Sequence, residues 1–482
     1  RLARLWASIQ VSYYGGKYSI ERVLALDKYT RSTSLLRVVL VCVGTPLPMV
    51  FLVMLQELLP LQEPEAGWHR NYGFWFRVFM LGVFVSQSYL VQGKYMVDDF
   101  AYSSRQLLCF VLGISGIYTG ASMVVGANLA FPIPFFYITM TPAFYVPLLL
   151  LLYCILGKSR KLTKYVCFIA TQKIMGMLYP IYQLLFHKAS TTDFVLPVIL
   201  LLPVIKIVVK NVVLYFTHHL EDLTPEAVIF TVDFYNALYL ATCMESASTF
   251  HAMLIFIVTD FAQTATVLLG MQRRTATILQ RLREATGIRD SDTVLDVLTS
   301  MLQAPAILQT QYRSGVRVRS CFRHKLDRKD LQLLYRLERL PGDLIEHSNI
   351  LRETLGVLYT TECLVLTAYL EAFIPLFYCT YMLFMVELPN AKYHTELRNV
   401  TRQNVQYTAR VVFFFGFLQV GSFVLLTLLI RRNCGIKILY NLAFVLETQM
   451  ALVQGKLMVW MLVTLACRVV HFGKSARSLC TW

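Results

Sequence analysis

At 482 residues, 56% hydrophobic and only 15% charged, the chain is too apolar for a soluble domain, which carries about 25% charged residues. Its net charge of +16 does not argue for nucleic acid, because the cytosolic loops of membrane proteins carry an excess of Lys and Arg. Eleven scattered cysteines, without a CxxC pair or metal-like spacing, argue against a disulfide framework and a zinc site.

The apolar surplus falls in blocks of about 20 residues, enough to cross about 30 Å of hydrocarbon at 1.5 Å per residue. The expected fold is therefore all-α, a polytopic helical membrane protein of about 10–11 transmembrane helices with a mid-chain helical cytosolic insert. Residues 1–35 carry Arg1, Arg4, Lys17, Arg22, Lys28 and Arg31 against Glu21 and Asp27. They lack the apolar core of a secretory signal, so none is expected there. Within them Ile20, Val23, Leu24 and Asp27 recur at helical spacing, predicting a short helix lying at the inner membrane interface.

A first membrane bundle is expected over 36–270, with spans near 36–59, 73–92, 106–127, 135–157, 165–187, 194–216, 226–244 and 247–270. Trp68, Tyr72, Phe74 and Trp75 look like an aromatic belt at headgroup level. Thr224-Pro225-Glu226 reads as a helix start, with a cap, a first-turn proline and an acid at the positive helix end. A polar insert follows at 271–360, then a second bundle at 361–482 with spans near 362–386, 410–430 and 440–466.

Three observations orient this scheme. With the N-terminus inside, the loops at 93–105, 158–164 and 271–360 and the segment Arg431–Lys437 share the inner side; the last three are net basic, and 93–105 is balanced, with Lys94 and Arg105 against Asp98 and Asp99. The insert itself has 15 Lys/Arg against 10 Asp/Glu. The chain's Asn-x-Thr sequon, Asn399-Val400-Thr401, then falls in an outer loop as a candidate glycosylation site. An even number of spans must precede the insert. After the last apolar run, Arg468, His471, Lys474 and Arg477 favour an inner C-terminus and ten spans; the length of that run favours eleven, which is the expectation.

Amphipathic helices are expected in the insert near 273–285, 292–303 and 327–340, the last with Leu331, Leu334 and Leu337 in one stripe. From Asp343 the pattern runs on into the next span as one long helix. The basic cluster Arg313, Arg317, Arg319, Arg323, Lys325, Arg328 and Lys329 is a candidate contact for anionic lipids of the inner leaflet, at about 1 kcal/mol per basic residue. A solvated linker is the alternative reading. Nucleic acid is not expected as a partner, since no aromatic interleaving or known motif accompanies the charge.

The chemically informative residues are ionisable groups carried into the bilayer, each costing about 2.5–3.5 kcal/mol at a helix centre unless paired or hydrated. They are Lys206, Lys210, Asp233, Asp260 and Glu371. Lys206 and Lys210 share a helix face, and matched depths predict pairing of Lys210 with Asp233 and of Lys206 with Asp260. A proton- or ion-coupled path and a static pair fixing helix registry both fit. Lys173, nearer the inner surface, is expected to extend its ammonium to the headgroups. Catalytic signatures such as GxSxG, HExxH or a Walker loop do not occur. His218-His219 beside Glu221 and Asp222 reads as a solvated turn. No catalytic residue, metal or cofactor is expected.

Leu442–Gln449 (LAFVLETQ), Val453–Leu457 (VQGKL) and Trp460, with Ser19–Val38 (SIERVLALDKYTRSTSLLRV) and Tyr72–Arg77 (YGFWFR), resemble a large, multiply duplicated family of multi-pass membrane proteins found in oomycetes. The resemblance covers nearly the whole chain. It implies a polytopic helical protein with a mid-chain cytosolic insert and carries no activity. The expected function is that of a transporter or channel-like protein using the midplane charges; a receptor, sensor or scaffold with the insert as partner-binding element is the alternative, and an enzyme is not expected.

Overall fold

A computed structural model describes residues 16–97, 100–189, 194–217, 221–246, 254–266, 316–322, 324–339, 350–397, 400 and 403–472, with scattered positions between 269 and 302. Within these the chain is an all-helical, multi-pass membrane protein, and nine of its helical spans are long and apolar enough to cross a bilayer.

Helix α1 (Ile20–Ser32) opens on Ser19, whose hydroxyl accepts the Arg22 amide. The first span is α2 (Leu35–Gly44) followed by α3 (Leu47–Leu58), interrupted where Pro46 and Pro48 fall. Next come α4 (Tyr72–Met96) and α5 (Ser104–Asn128), the latter started by a Ser103–Gln106 capping box. A single turn, Phe136–Thr139, leads into α6 (Thr141–Leu156), followed by α7 (Arg160–Ala189) and α8 (Val195–Thr217).

One rod then forms from α9 (Thr224–Val228), a π-helical turn (Ile229–Asp233) and α10 (Phe234–Ser246). It precedes α11 (Leu254–Thr266). The remaining elements are α12 (Arg328–Arg339), α13 (Ile350–Met385), α14 (Val405–Cys434), α15 (Ile438–Thr448) and α16 (Met450–Arg468).

The rod is the axis of the bundle: its whole membrane window is buried, enclosed by α7, α8, α13, α14 and α16. Helices at the periphery keep apolar residues outside, among them Leu36, Phe51, Val124, Tyr215 and Phe414, as lipid contact requires. Of the expected spans, 165–187 becomes the more polar 30-residue α7, and within 247–270 the described helix is α11. At 36 residues, α13 is about 54 Å long, more than a bilayer's hydrocarbon thickness.

Two expectations differ from the structure, the single span at 440–466 and the Thr224 cap. The run at 440–466 is two helices, broken at Gln449, whose φ −118° and ψ 24° leave the helical region. Met450–Arg468 is then long enough to cross alone. Helix α1 forms where its spacing predicts a helix, and Ile20 through Leu26 are all buried; the segment from residue 316 bonds to it through Ile20 N–Arg317 O and Glu21 N–Val318 O, both 3.0 Å. Thr224 does not cap its own helix; its hydroxyl donates back to the Thr217 carbonyl at 3.2 Å, where α8 ends.

In the insert, α12 forms where expected, with Leu334 and Leu337 buried and Leu331 half-buried. The expected helices near 273–285 and 292–303 fall almost wholly outside the described residues, as do Arg313, Arg323, Asn399, His218 and His219.

Close helix packing concentrates at small residues. A Cβ added to Gly82 of α4 would lie 3.2 Å from Ser115 of α5, whereas one at Gly113 meets nothing within 4 Å. Gly82→Leu is therefore expected to lower stability by about 1–3 kcal/mol through overpacking, and Gly113→Leu to change it little, both measured as thermal unfolding midpoints in detergent.

Candidate functional site

Buried charges occupy three levels along the rod. Near its middle, α8 presents Lys206 and Lys210 one turn apart, the π turn ends on Asp233, and α13 contributes Thr367 and Glu371. Lys210 Nζ lies 2.8 Å from Asp233 Oδ2, which also accepts the Thr367 hydroxyl at 2.9 Å. Lys206 Nζ meets Asp233 Oδ1 at 3.3 Å and Glu371 Oε1 at 2.8 Å. All four ionisable side chains are buried, and Asp233 is fully enclosed.

Asp260, on α11, receives the Gln419 amide of α14 and lies within electrostatic reach of Lys206 and Glu371. The expected partition, Lys210 with Asp233 and Lys206 with Asp260, is thus redistributed. Both lysines project from one face of α8 onto the rod, so Asp233 meets both. Glu371, from the opposite wall, takes Lys206. With every group ionised this level holds three carboxylates against two ammoniums.

The π turn is supported from the side. Lys456 of α16, read from sequence only as an interruption of its span, donates to the carbonyls of Glu226 (3.1 Å) and Ala227 (3.3 Å) just before the turn. Those carbonyls lie where the ordinary α-helical ladder shifts register, so an ammonium there supplies donors that the irregular backbone lacks.

At the end of the bundle nearest α1, Arg22 is fully buried. Its guanidinium bonds Glu226 of the rod at 3.2 Å and Glu362 of α13 at 2.7 and 2.9 Å, and it donates to the Asp222 carbonyl. Tyr18 donates to Glu362 as well. Toward the opposite end, Arg468 of α16 pairs with Glu396 at 2.6 Å and bonds Thr242 of the rod at 2.9 Å. Tyr378 of α13 donates to Glu245 of the rod at 2.5 Å. A neighbouring buried group at this end joins Arg77 to Glu57 (3.0 Å) and His394 to the same carboxylate (3.2 Å), with Asn390 bonding the carbonyls of Glu57 and Leu59.

Sequence reading passed over both end levels. Arg22, Glu57 and Arg77 sit beside or at the ends of apolar runs, where a charge ordinarily points to water. Glu226 had a local explanation as a helix-start acid. The one available signal was that Glu226, Asp233 and Glu245 recur along one short apolar rod.

Of the basic cluster, Arg317, Lys325, Arg328 and Lys329 are exposed. Arg319 is half-buried, pairs with Glu338 of α12 at 2.7 Å and stacks 4.8 Å from the Tyr335 ring centroid. Lys28 of α1 binds Asp327 at 2.7 Å. Glu21 of α1 accepts the Ser320 and His324 amides. His324 stacks on Phe444 of α15 at 5.6 Å, and burial, with the nearby Arg22 charge, lowers its pKa from 6.5 to about 4.

Asp233→Asn takes from Lys210 its carboxylate at 2.8 Å and from Lys206 one of two and is expected to cost about 3–5 kcal/mol of folding stability, whereas Thr367→Val, removing one hydrogen bond, costs about 1 kcal/mol; thermal unfolding of the purified variants separates them. Released from the bundle, His324 takes a proton near pH 6.5, whereas docked it resists until about 4. The undocked state therefore binds more protons between those values, and docking, fully present above 6.5, weakens as pH falls through that window. Intrinsic-rate-corrected amide exchange of residues 316–322 is expected to be faster at about pH 5 than at about pH 7.5, and to lose this dependence in His324→Phe. No family model, curated protein or solved structure matches the chain, so its function is argued from the arrangement of these residues.

Proposed function

We propose that the chain is a proton-coupled secondary transporter in which the central level, Lys206, Lys210, Asp233, Glu371 and Asp260, takes up and releases the coupling proton. The observation that carries this reading is the surplus of carboxylate over ammonium at a buried level. Ionisable groups at such depth are costly, and a static registry pair needs only matched charges. A proton on Glu371 removes one partner of Lys206 and leaves the lysine to Asp233 and Asp260. Protonation thereby changes how strongly α8, α11 and α13 are tied to the rod.

The end levels act in this reading as gates. Both couple the rod to α13, through Arg22 at one end and the Tyr378–Glu245 bond at the other. The levels at Glu226 and Glu245 stand about 28 Å apart along the rod, close to the hydrocarbon thickness. With both fastened, the conformation described is occluded, and the π turn between them offers a pivot of the kind that recurs at functional sites. The basic face at Arg317, Lys325, Arg328 and Lys329 lies against the inner leaflet in this scheme, steadying the insert by its attraction to anionic lipid.

A sensor or scaffold is the second reading, favoured by the fastening of segment 316–324 to α1 and so to the Arg22 level. A partner pulling on that segment acts directly on one gate.

Purified protein in proteoliposomes carrying a trapped pH dye, challenged with a panel of amino acids, sugars, nucleosides and organic acids, tests the transport reading. A solute-dependent proton signal is expected in wild type and is expected to disappear in Glu371→Gln. Equal signals from wild type, Glu371→Gln and protein-free vesicles would sink it.

A further inference from the structure

A second polar feature lies halfway along the bundle, apart from the charge levels. Helices α4, α5, α6, α7 and α16 line a partly open cavity walled by Tyr89, Tyr118, Tyr137, Phe144, Tyr145 and Trp460, with Lys173 as the one ammonium among its lining residues. The space open to the centre of a water-sized sphere is about 30 Å³, against about 10–15 Å³ for a single water. It takes a small cluster of waters or one ion of halide size.

Lys173 does not reach toward a headgroup layer as its position in the sequence suggests. Its Nζ stands 3.1 Å from the centroid of the Tyr137 ring and 5.7 Å from that of Tyr145, and donates to the Tyr137 carbonyl at 2.9 Å. That bond occupies one of three ammonium donors. Unlike Lys206 and Lys210, it faces walls that contain no Asp or Glu.

The surrounding polar atoms are donors in excess. Trp460 is 1% exposed, yet its Nε1 has no hydrogen-bond partner, and neither does the hydroxyl of Tyr235, whose ring lies 5.5 Å from the indole. The Tyr137 and Tyr235 hydroxyls converge on Gly176, where an added Cβ would stand 2.8 and 3.5 Å from them. Tyr89 and Tyr145 share one hydrogen bond of 3.0 Å, which uses one of their two protons. An ammonium without a counter-charge, an unsatisfied indole N–H and spare hydroxyl protons each carry a cost in a dry interior. Among these donors, Lys173, Trp460 and Tyr137 belong to residues that line the cavity, and a single acceptor-only ligand there answers them.

We propose that this cavity binds a small monovalent anion of halide size, held by the Lys173 ammonium and completed by the Trp460 indole N–H and tyrosine hydroxyls. The cation–π contact with Tyr137 keeps the lysine in the cavity when the ion leaves. The proposal is independent of proton coupling at the central level, and so is its test.

The full chain, purified in detergent and sodium gluconate, is titrated with sodium bromide at constant ionic strength while the unfolding midpoint and tryptophan emission are followed. A saturable rise in midpoint is expected, with quenching of the Trp460 contribution. Lys173→Met is expected to abolish saturation, and Trp460→Phe to weaken bromide binding about ten-fold, as loss of one hydrogen bond to a charged ligand does. Should Lys173→Met fail to fold, Trp460→Phe and Tyr137→Phe, which keep the rings in place, decide the matter by the same titration. A wild-type response no different from these variants overturns the proposal. So does a fatty acid retained by wild type and lost from Lys173→Met or Trp460→Phe in mass spectra of the intact protein, since the cavity would then serve a lipid carboxylate.

Discussion

A fully buried rod that carries its own charges imposes the central constraint on this protein. Glu226, Asp233 and Glu245 lie on one helical element that has no face to lipid or water along its membrane window. Each carboxylate must therefore be met by a donor from another helix, and the identity of those helices defines the bundle. Arg22 comes from α1, Lys206 and Lys210 from α8, and Tyr378 from α13. Breaking any one level strands charge in a low-dielectric interior, which is far more costly than the pair's net contribution when intact.

The same constraint connects distant parts of the chain. The short N-terminal helix reaches the rod and α13 through Arg22, and the segment after residue 316 reaches α1 through backbone bonds and Glu21. Lys456 stabilises the π turn from α16. A local event at the bundle end, such as undocking of His324, is thus adjacent to groups that hold the rod. Charge at the middle level and packing at the ends form one mechanical system, which is why the transport and sensor readings share residues.

Two kinds of lysine environment occur within the bundle. Lys206 and Lys210 are neutralised within the protein by carboxylates. Lys173 is surrounded by aromatic faces and donors, an environment whose missing component is negative charge. The sequence separates Lys173 from the other two only by its depth within an expected span; the kind of partner each meets is contributed by other helices.

The sequence by itself determined what depends on local composition. Runs of about 20 apolar residues set the helical membrane class, and Leu331, Leu334 and Leu337 located α12. The depth of Lys210 and Asp233 along neighbouring spans put them at one level, because rise per residue is constant. The tertiary structure alone decided the lateral arrangement. Asp260 faces Gln419 while Lys206 turns to Glu371, and Gln449 divides what reads as one span. Arg22, Glu57, Arg77 and Arg468 point inward although each sits beside or at the end of an apolar run. Depth in a membrane follows from counting along one chain, but which face of a helix meets which neighbour is set by packing among many helices, and no local pattern carries that.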